Sequence, residues 1–342
     1  MKLLVLVNDV AELKATMASW LLPWRAVRRG DRALLCGVEE LSWTDGGLRA
    51  LAAPVRGGDD PGRGLSATKN GRRETVLLEA GDVLLLRINP ARDPERAGHH
   101  LAAFGMARLA LRSGVTVLNE PDAIERVGHK LFLAELPDHV RPRQLVTSRW
   151  PELLAFAQCE AGPVVIKPLS GTRGDGVAKV DVRSQGRERL LDAASALLGQ
   201  GPVVIQEYLP AAPRGDTRVL MLEGRVLTVD GRRAAVRRVP QPGEFRSNVH
   251  LGGSAAAGEW TDEIAMVVEA AGPVLREAGV FLAGLDVVGD KVVEVNAYAP
   301  GGFGDVESFE GVDFLGAVLD RVEHLVAKRR VMLRNVAKRR DM

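Results

Sequence analysis

Asp286, Glu294 and Asn296, in the segment GLDVVGDKVVEVN, combine residue types and spacing that suit chemistry. Glu294 and Asn296 stand two apart on an expected strand, so they share a face and can present oxygen ligands together. The position of Asp286 depends on the turn. A two-residue Gly289-Asp290 turn pairs Asp286 with Val293 and aims it away from Glu294, whereas a three-residue turn through Lys291 sets it opposite Glu294. In the second case three oxygen-bearing groups converge as a hard cation such as magnesium requires, with phosphate oxygens and water completing the shell. In the first the segment is an exposed hairpin with ordinary acids.

A second stretch, VVIKPLSGTRGDGV, ends an apolar strand on Lys167, whose ammonium needs an anion if it is buried. Gly171, Gly174 and Gly176 allow a close-approaching backbone whose amides can cover a phosphate chain, although the spacing is neither the P-loop nor the dinucleotide fingerprint. Taken alone it also reads as a plain turn between strands. Arg218, Arg238 and Arg246, with Asn248 in FRSNVHLGG, add guanidinium forks suited to a transferred phosphoryl group; singly, each reads as a surface arginine.

The elements that must position these groups follow from pattern. Leu3 to Val7, Val83 to Leu86 and Val115 to Leu118 read as buried strands alternating with helices at Ala11 to Leu21 and Leu101 to Leu111, a parallel α/β arrangement. Arg56 to Arg73 reads as a surface loop. From Pro121 the texture changes: a helix, a strand at Gln144 to Thr147, and a helix capped by Ser148. Strands at Val164 to Lys167 and Val177 to Val182 flank the glycine-rich loop, and a helix follows near Arg187 to Leu198. Val203 to Glu207, Arg218 to Leu222, Arg225 to Val229 and Ala234 to Arg238 form a mainly antiparallel lobe with a Glu223-Gly224 hairpin turn. A helix at Asp262 to Ala278, the hairpin Phe281 to Val295 and a helix at Val312 to Lys328 complete it.

Composition narrows the function classes. Among 342 residues, 46 basic and 44 acidic side chains leave a net charge of +2, with no global attraction to nucleic acid or membrane. Cys36 and Cys159 stand far apart, so neither a disulfide framework nor a zinc site is expected, and a reducing cytoplasm is. The seven cations between Lys328 and Arg340, in a doubled VAKRR, read as a solvated helix end or frayed terminus.

Together these residues make a family likeness. From about Asp82 to Leu325 the chain resembles bacterial glutathione synthetase and the related RimK-type amino-acid ligases, both ATP-grasp enzymes. Arg87 to Pro90 and Asn119 to Pro121 resemble that family's carboxylate-substrate lobe. HKLF supplies Lys130 as the first nucleotide lysine, with Lys167 the second and the glycine loop as lid. QEYLP, containing Gln206, Glu207, Tyr208 and Leu209, resembles the hinge that reads adenine, with Glu207 near the exocyclic amine and Asp216 near the ribose. Arg218 and Arg238 resemble its phosphate arginines, and Asp286, Glu294 and Asn296 its magnesium ligands, which favours the three-residue turn. After Asn296 the pattern breaks: AYAPGGFGDVESF stands where the synthetase carries a Thr-Ser-Pro-Thr segment near its peptide substrate.

The resemblance implies an α/β ATP-grasp fold with an N-terminal parallel-sheet lobe. Its expected parts are 1–122 for the substrate lobe, 123–201 for the central lobe with its lid, 202–328 for the metal-bearing lobe and 329–342 for a basic tail. It also implies ATP with magnesium, or manganese in its place, and a cytoplasmic carboxylate-amine ligase working through an acyl phosphate. The leading substrates are γ-glutamylcysteine and glycine, and neither nucleic acid nor membrane is a partner; a homo-oligomer is compatible. Alternatives are a RimK-like ligase adding an amino acid to a peptide or specialised metabolite, or a non-catalytic nucleotide-binding regulator. Tyr298 to Phe309 is expected beside the organic substrate, with Phe303 and Phe309 walling a pocket.

Overall fold

The computed structural model describes residues 1–171, 174–247 and 252–340, with side chains described as far as 331. The chain opens with β1 (Lys2–Val7), α1 (Ala18–Arg28), β2 (Arg32–Gly37), β3 (Leu41–Thr44) and β4 (Gly47–Pro54). It continues through α2 (Pro61–Lys69), β5 (Glu74–Leu77), β6 (Val83–Arg87), α3 (Ala97–Arg112) and β7 (Thr116–Leu118). These strands form one sheet ordered β3-β4-β2-β1-β6-β7, with β5 also paired to β4. β2, β1, β6 and β7 run parallel, and the remaining pairings are antiparallel. Their uninterrupted apolar runs are what a sheet covered on both faces demands. The chain passes from β1 to β2 on one side and reaches β6 on the other, so the strand order reverses between β1 and β6.

Two expectations fail in this region. The first helix lies at Ala18–Arg28, not at Ala11 to Leu21. After β1 the chain turns instead, with Asp9 accepting the amide of Ala11 and Leu13 bonding back to Val10. The glycine-rich stretch taken as a loop contains α2, started by Asp60, which caps the amide of Arg63, and by Pro61 in the first turn. Glycines at 62 and 64 had masked that signal; a side chain at Gly64 would collide with Trp20 and Trp24 of α1.

After α4 (Pro121–Val127), a second sheet ordered β10-β9-β11-β8 uses β8 (Gln144–Thr147), β9 (Val164–Pro168), β10 (Ala178–Val180) and β11 (Val203–Glu207). Helices α5 (Trp150–Cys159) and α6 (Val182–Leu198) cover it. Thr147, rather than Ser148, serves the start of α5, accepting from the amide of Arg149 and donating to Glu152.

The third region has β12 (Asp216–Leu222), β13 (Arg225–Val226), the small pair β14 (Thr228–Val229) and β15 (Arg232–Arg233), then β16 (Ala235–Val239) and β17 (Ser254–Ala257). Helix α7 (Asp262–Glu277) and the hairpin of β18 (Leu282–Val288) and β19 (Lys291–Asn296) follow. The order β17-β16-β12-β18-β19 is antiparallel throughout.

The chain closes with α8 (Phe303–Glu310) and α9 (Phe314–Arg340). Helix α9 runs twelve residues past the expected Lys328, and two of its cations are not merely solvated. Arg329 donates to the carbonyl of Leu111 and Arg330 to that of Gly81, tying the helix to the first sheet. Among the described residues no helix is long and apolar enough to cross a membrane.

Candidate active site

The β18–β19 hairpin settles the geometry of the acids in a way neither turn predicts. Val288 pairs with Lys291 and Val287 with Val292, so the turn is the two-residue Gly289-Asp290 type. Asp286 nevertheless stands opposite Glu294, because the register slips between Asp286 and Val287. The three-residue turn is therefore wrong and the convergence right. A β-bulge at Val293 supplies the extra residue. Its carbonyl, displaced from the regular ladder, accepts a hydrogen bond from Lys167 Nζ at 3.1 Å.

Asp286 is 2% exposed and stands at the centre of the charges. Arg218 grips it with two parallel bonds of 2.8 Å, Arg238 Nη2 lies 2.7 Å from Oδ2, and Asn296 Nδ2 donates at 3.2 Å. Burial alone would raise this acid's pKa, but the two guanidinium groups outweigh it and hold the value near 2. Arg238 also bonds Asp216 at 2.6 Å, and Ser247 donates to the other oxygen of Asp216. Arg218 and Arg238 lie on neighbouring strands, β12 and β16, at Arg218↔Val236 and Asp216↔Arg238. β12 also pairs Arg218 with Asp286. Two guanidinium groups are thus fixed on one carboxylate.

Lys130 donates to Gly171 O at 3.2 Å and sits 3.9 Å from Glu294. Lys167 is buried, and its pKa falls to about 7 through desolvation and the nearby charge of Lys130, with Glu294 and Asp286 opposing. Burial lowers the Lys130 pKa too. Two desolvated ammonium groups side by side form a site awaiting an anion.

These groups line a cleft of about 830 Å³, its open mouth included, between the second and third sheets. Lys130, Lys167, Gly171, Gly174, Gln206, Tyr208, Leu209, Asp216, Arg238, Arg246, Asp286 and Glu294 all contribute to its wall, in the size range of ligand pockets. One end is apolar, with Val165, Leu209 and the edge-to-face pair Tyr208–Phe245; the other is ionic. The buried Oε1 of Gln206 has no protein partner among the described residues. Arg246 bridges Glu244 and the carbonyl of Gly174, so the segment after β16 touches the glycine loop across the cleft mouth.

Some expectations are corrected here. The Glu207 side chain turns away from the cleft to Arg143, as strand alternation requires once Gln206 and Tyr208 face inward, which leaves its backbone as the part of Glu207 on the cleft side. Asp216 has both oxygens engaged by Arg238 and Ser247. Gly176 packs behind the loop, near Pro168 and Leu197, at φ +69°. Asn248 lies outside the described residues, as do parts of both loops. Asn119, in the segment that resembles the substrate lobe, donates to Leu282 O and Ala297 O and accepts from the amides of Phe281 and Leu282. It staples the first region to the two strands of the β18–β19 hairpin. Phe303 is core and Phe309 is exposed on the surface, so they wall no common pocket. Tyr298 stacks toward Phe104 and crosses Gly128, where no side chain would fit.

The donor set fits a hard divalent cation. Glu294 and Asn296 offer oxygen, as magnesium or manganese prefers, and Asn296 Oδ1 has no partner among the described residues, whereas both oxygens of Asp286 already accept from Arg218, Arg238 and Asn296. No group of three His, Cys, Asp or Glu side chains suited to a metal exists among the described residues. Most of the cation's shell would therefore arrive with phosphate and water.

Comparison with known proteins agrees with this geometry. The model of the prokaryotic glutathione synthetase N-terminal domain matches residues 1–125, and that of its ATP-grasp domain matches residues 129–311. A glutathione synthetase of Parasynechococcus marenigrum is 34% identical over 301 residues, 88% of this chain and 92% of the relative. One from Prochlorococcus marinus is 37% identical over 68% of this chain and 72% of the relative. Among solved structures, D-cycloserine synthetase superposes with a TM-score of 0.60 at 18% identity, covering 93% of this chain and 99% of that one. A RimK-domain ATP-grasp protein from Sphaerobacter thermophilus gives 0.56 at 20%, covering 94% and 98%. At such identity these two speak for the fold alone.

Proposed function

The chain belongs to the prokaryotic glutathione synthetase family of ATP-grasp ligases, and from that premise we propose that it joins the cysteinyl carboxylate of γ-glutamylcysteine to the amine of glycine. It is an ATP-dependent carbon–nitrogen ligase and, like its family, uses ATP and a divalent cation. The observation that carries the reading is the opposition of Asp286 and Glu294 across the bulged hairpin, with Lys130, Lys167 and Arg238 converging on the same end of the cleft and Arg218 clasping Asp286.

The reaction has two steps. The acid's carboxylate oxygen attacks the terminal phosphorus of ATP, ADP leaves, and an acyl phosphate forms. The amine then attacks the acyl carbon, loses a proton, and expels inorganic phosphate. Magnesium, when bound, would disperse the charge that gathers on the phosphate oxygens. Asp286, Glu294 and Asn296 are its proposed holders. Lys130 and Lys167 neutralise the phosphate chain, Arg218 and Arg238 hold the Asp286 side and the transferred group, and Gly171 and Gly174 close the loop above it. The hinge strand ending at Gln206 to Leu209, with Phe245, forms the apolar end where the base sits.

ADP release in the presence of magnesium, γ-glutamylcysteine and glycine, measured with each omitted in turn, tests the proposal. Dependence on both organic substrates and formation of glutathione by mass are expected. ADP release that needs neither, or with other acids only, refutes the substrate assignment.

A further inference from the structure

Helix α3 buries His100, Ala103, Phe104, Ala107 and Ala110 against one face of the first sheet. Its outer face is not the charged stripe that a surface helix ordinarily turns to water. Leu101, 69% exposed, is the most exposed large apolar side chain among the described residues; Leu109 is exposed as well, and so is Trp43 on β3, which packs beside α3. Gly98, Ala102, Gly105 and Leu109 follow one another along that face at alternating steps of four and three residues. Such spacing is the narrow seam of two paired helices, whereas a helix that faces a core shows a wider apolar stripe. A side chain built on Gly98 or Gly105 meets no atom of the surrounding structure within 4 Å. Glycine inside a helix costs roughly 1 kcal/mol against alanine, and at Gly105 nothing in the chain's own packing requires it.

The seam complements itself. With a second α3 laid antiparallel about a two-fold axis between Ala103 and Phe104, Leu109 packs over the partner's Gly98 and Ala102 over the partner's Gly105, each contact occurring twice, as an isologous interface requires. The glycines let the two backbones approach and leave Leu109 a hole to fill. One step further along the same spacing stand Glu95, in the 3-10 turn Pro94–Arg96, and Arg112, the last residue of α3. Both are exposed, and neither forms an ion pair among the described residues. The antiparallel register sets Arg112 against the partner's Glu95 at both ends of the seam; a parallel register would set like charges together. Arg108, on the flank of the same face, is already tied to Asp122 and Glu125. The surface that fits this face, in shape and in charge, is therefore a second copy of itself.

We propose that two copies of this chain associate through the outer faces of α3, antiparallel about a two-fold axis. One helix pair covers less than the roughly 1,200 Å² of a standard interface, so the association is reversible and depends on concentration. Sedimentation velocity on the full chain, over a wide range of protein concentration, compares wild type with L109E, E95R, R112E and the double variant E95R/R112E. Wild type is expected to pass from monomer to dimer as concentration rises, and L109E to stay monomeric. E95R and R112E should each weaken the dimer by roughly 3- to 30-fold, since either change sets like charges together at both ends of the seam. The double variant should recover the wild-type affinity, because it exchanges the two charges on every copy. Circular dichroism and thermal melting should show every variant folded, which separates loss of pairing from loss of structure. A wild type that stays monomeric at every concentration would leave the face to a different protein and overturns the proposal. So does a dimer that L109E leaves intact, or a double variant that pairs no better than its single-change parents.

Discussion

Lys167 was legible as a strand-end lysine in need of an anion, but its partner in the free protein was not, because a bulge in a different sheet cannot be read from glycine spacing. Its depressed pKa has a measurable consequence. Phosphate should restore the ordinary ammonium, so ATP binding takes up a proton wherever the free lysine is neutral. Below about pH 7 the lysine is already charged and affinity is flat; above it, uptake approaches one proton and affinity weakens as pH rises. Calorimetry in two buffers of different ionisation heat at pH 6 and pH 8 should read this, and Lys167→Arg should abolish it. In the free protein the sign for stability is opposite: the folded pKa lies below the unfolded one, so stability rises with pH from about 7 to about 10.4. Glu294 was equally legible. It is partly exposed and holds only a loose contact with Lys130, so Glu294→Gln should fold normally while ADP formation falls on the order of 100-fold or more. Rescue of that variant by no concentration of magnesium, with an unchanged melting temperature, is the expected pattern; near-normal turnover would remove Glu294 from the metal.

At the scale of elements, strands with unbroken apolar runs were the readable part. Those with mixed composition, β2 to β5 among them, were not resolved, and α2 was hidden by its glycines although Asp60-Pro61 announced its start. The segment after Asn296 misled for a different reason: Phe303 and Phe309 look alike in sequence, and only packing separates them. Phe303 lies in the core with Phe314 and Trp20, so Phe303→Ala should cost about 3–5 kcal/mol in urea denaturation, whereas Phe309→Ala should stay within about 0.5 kcal/mol. Gly301, within the segment expected beside the substrate, has open space around it, while Gly302 at φ +104° is the position a side chain would strain. Asn119 shows how a motif can be placed by resemblance while the bonds of its side chain are visible only in the fold. Its four bonds span three chain segments, and Asn119→Ala leaves two buried amides and two carbonyls unpaired, a loss of about 3 kcal/mol with ATP affinity unchanged.

At the scale of the whole molecule, the α/β character and the nucleotide cleft were readable, since both follow from short local patterns. How the parts hold one another was not, because the contacts join residues up to 291 positions apart, as between Arg29 and Asp320. The basic end of α9 is the clearest case: Arg329 binds a carbonyl at the end of α3 and Arg330 one in the turn before β6, and replacing both with Ala should destabilise the protein by about 1–3 kcal/mol with kcat unchanged. The central claim, a carboxylate activated by phosphoryl transfer in the cleft between the second and third sheets, is tested most directly by isotope transfer. γ-Glutamylcysteine carrying oxygen-18 in its cysteinyl carboxylate is turned over with ATP, magnesium and glycine, and the released phosphate is weighed by mass spectrometry. One labelled oxygen in each phosphate, matched to glutathione formed, is the predicted result; unlabelled phosphate alongside glutathione would contradict an acyl-phosphate ligase.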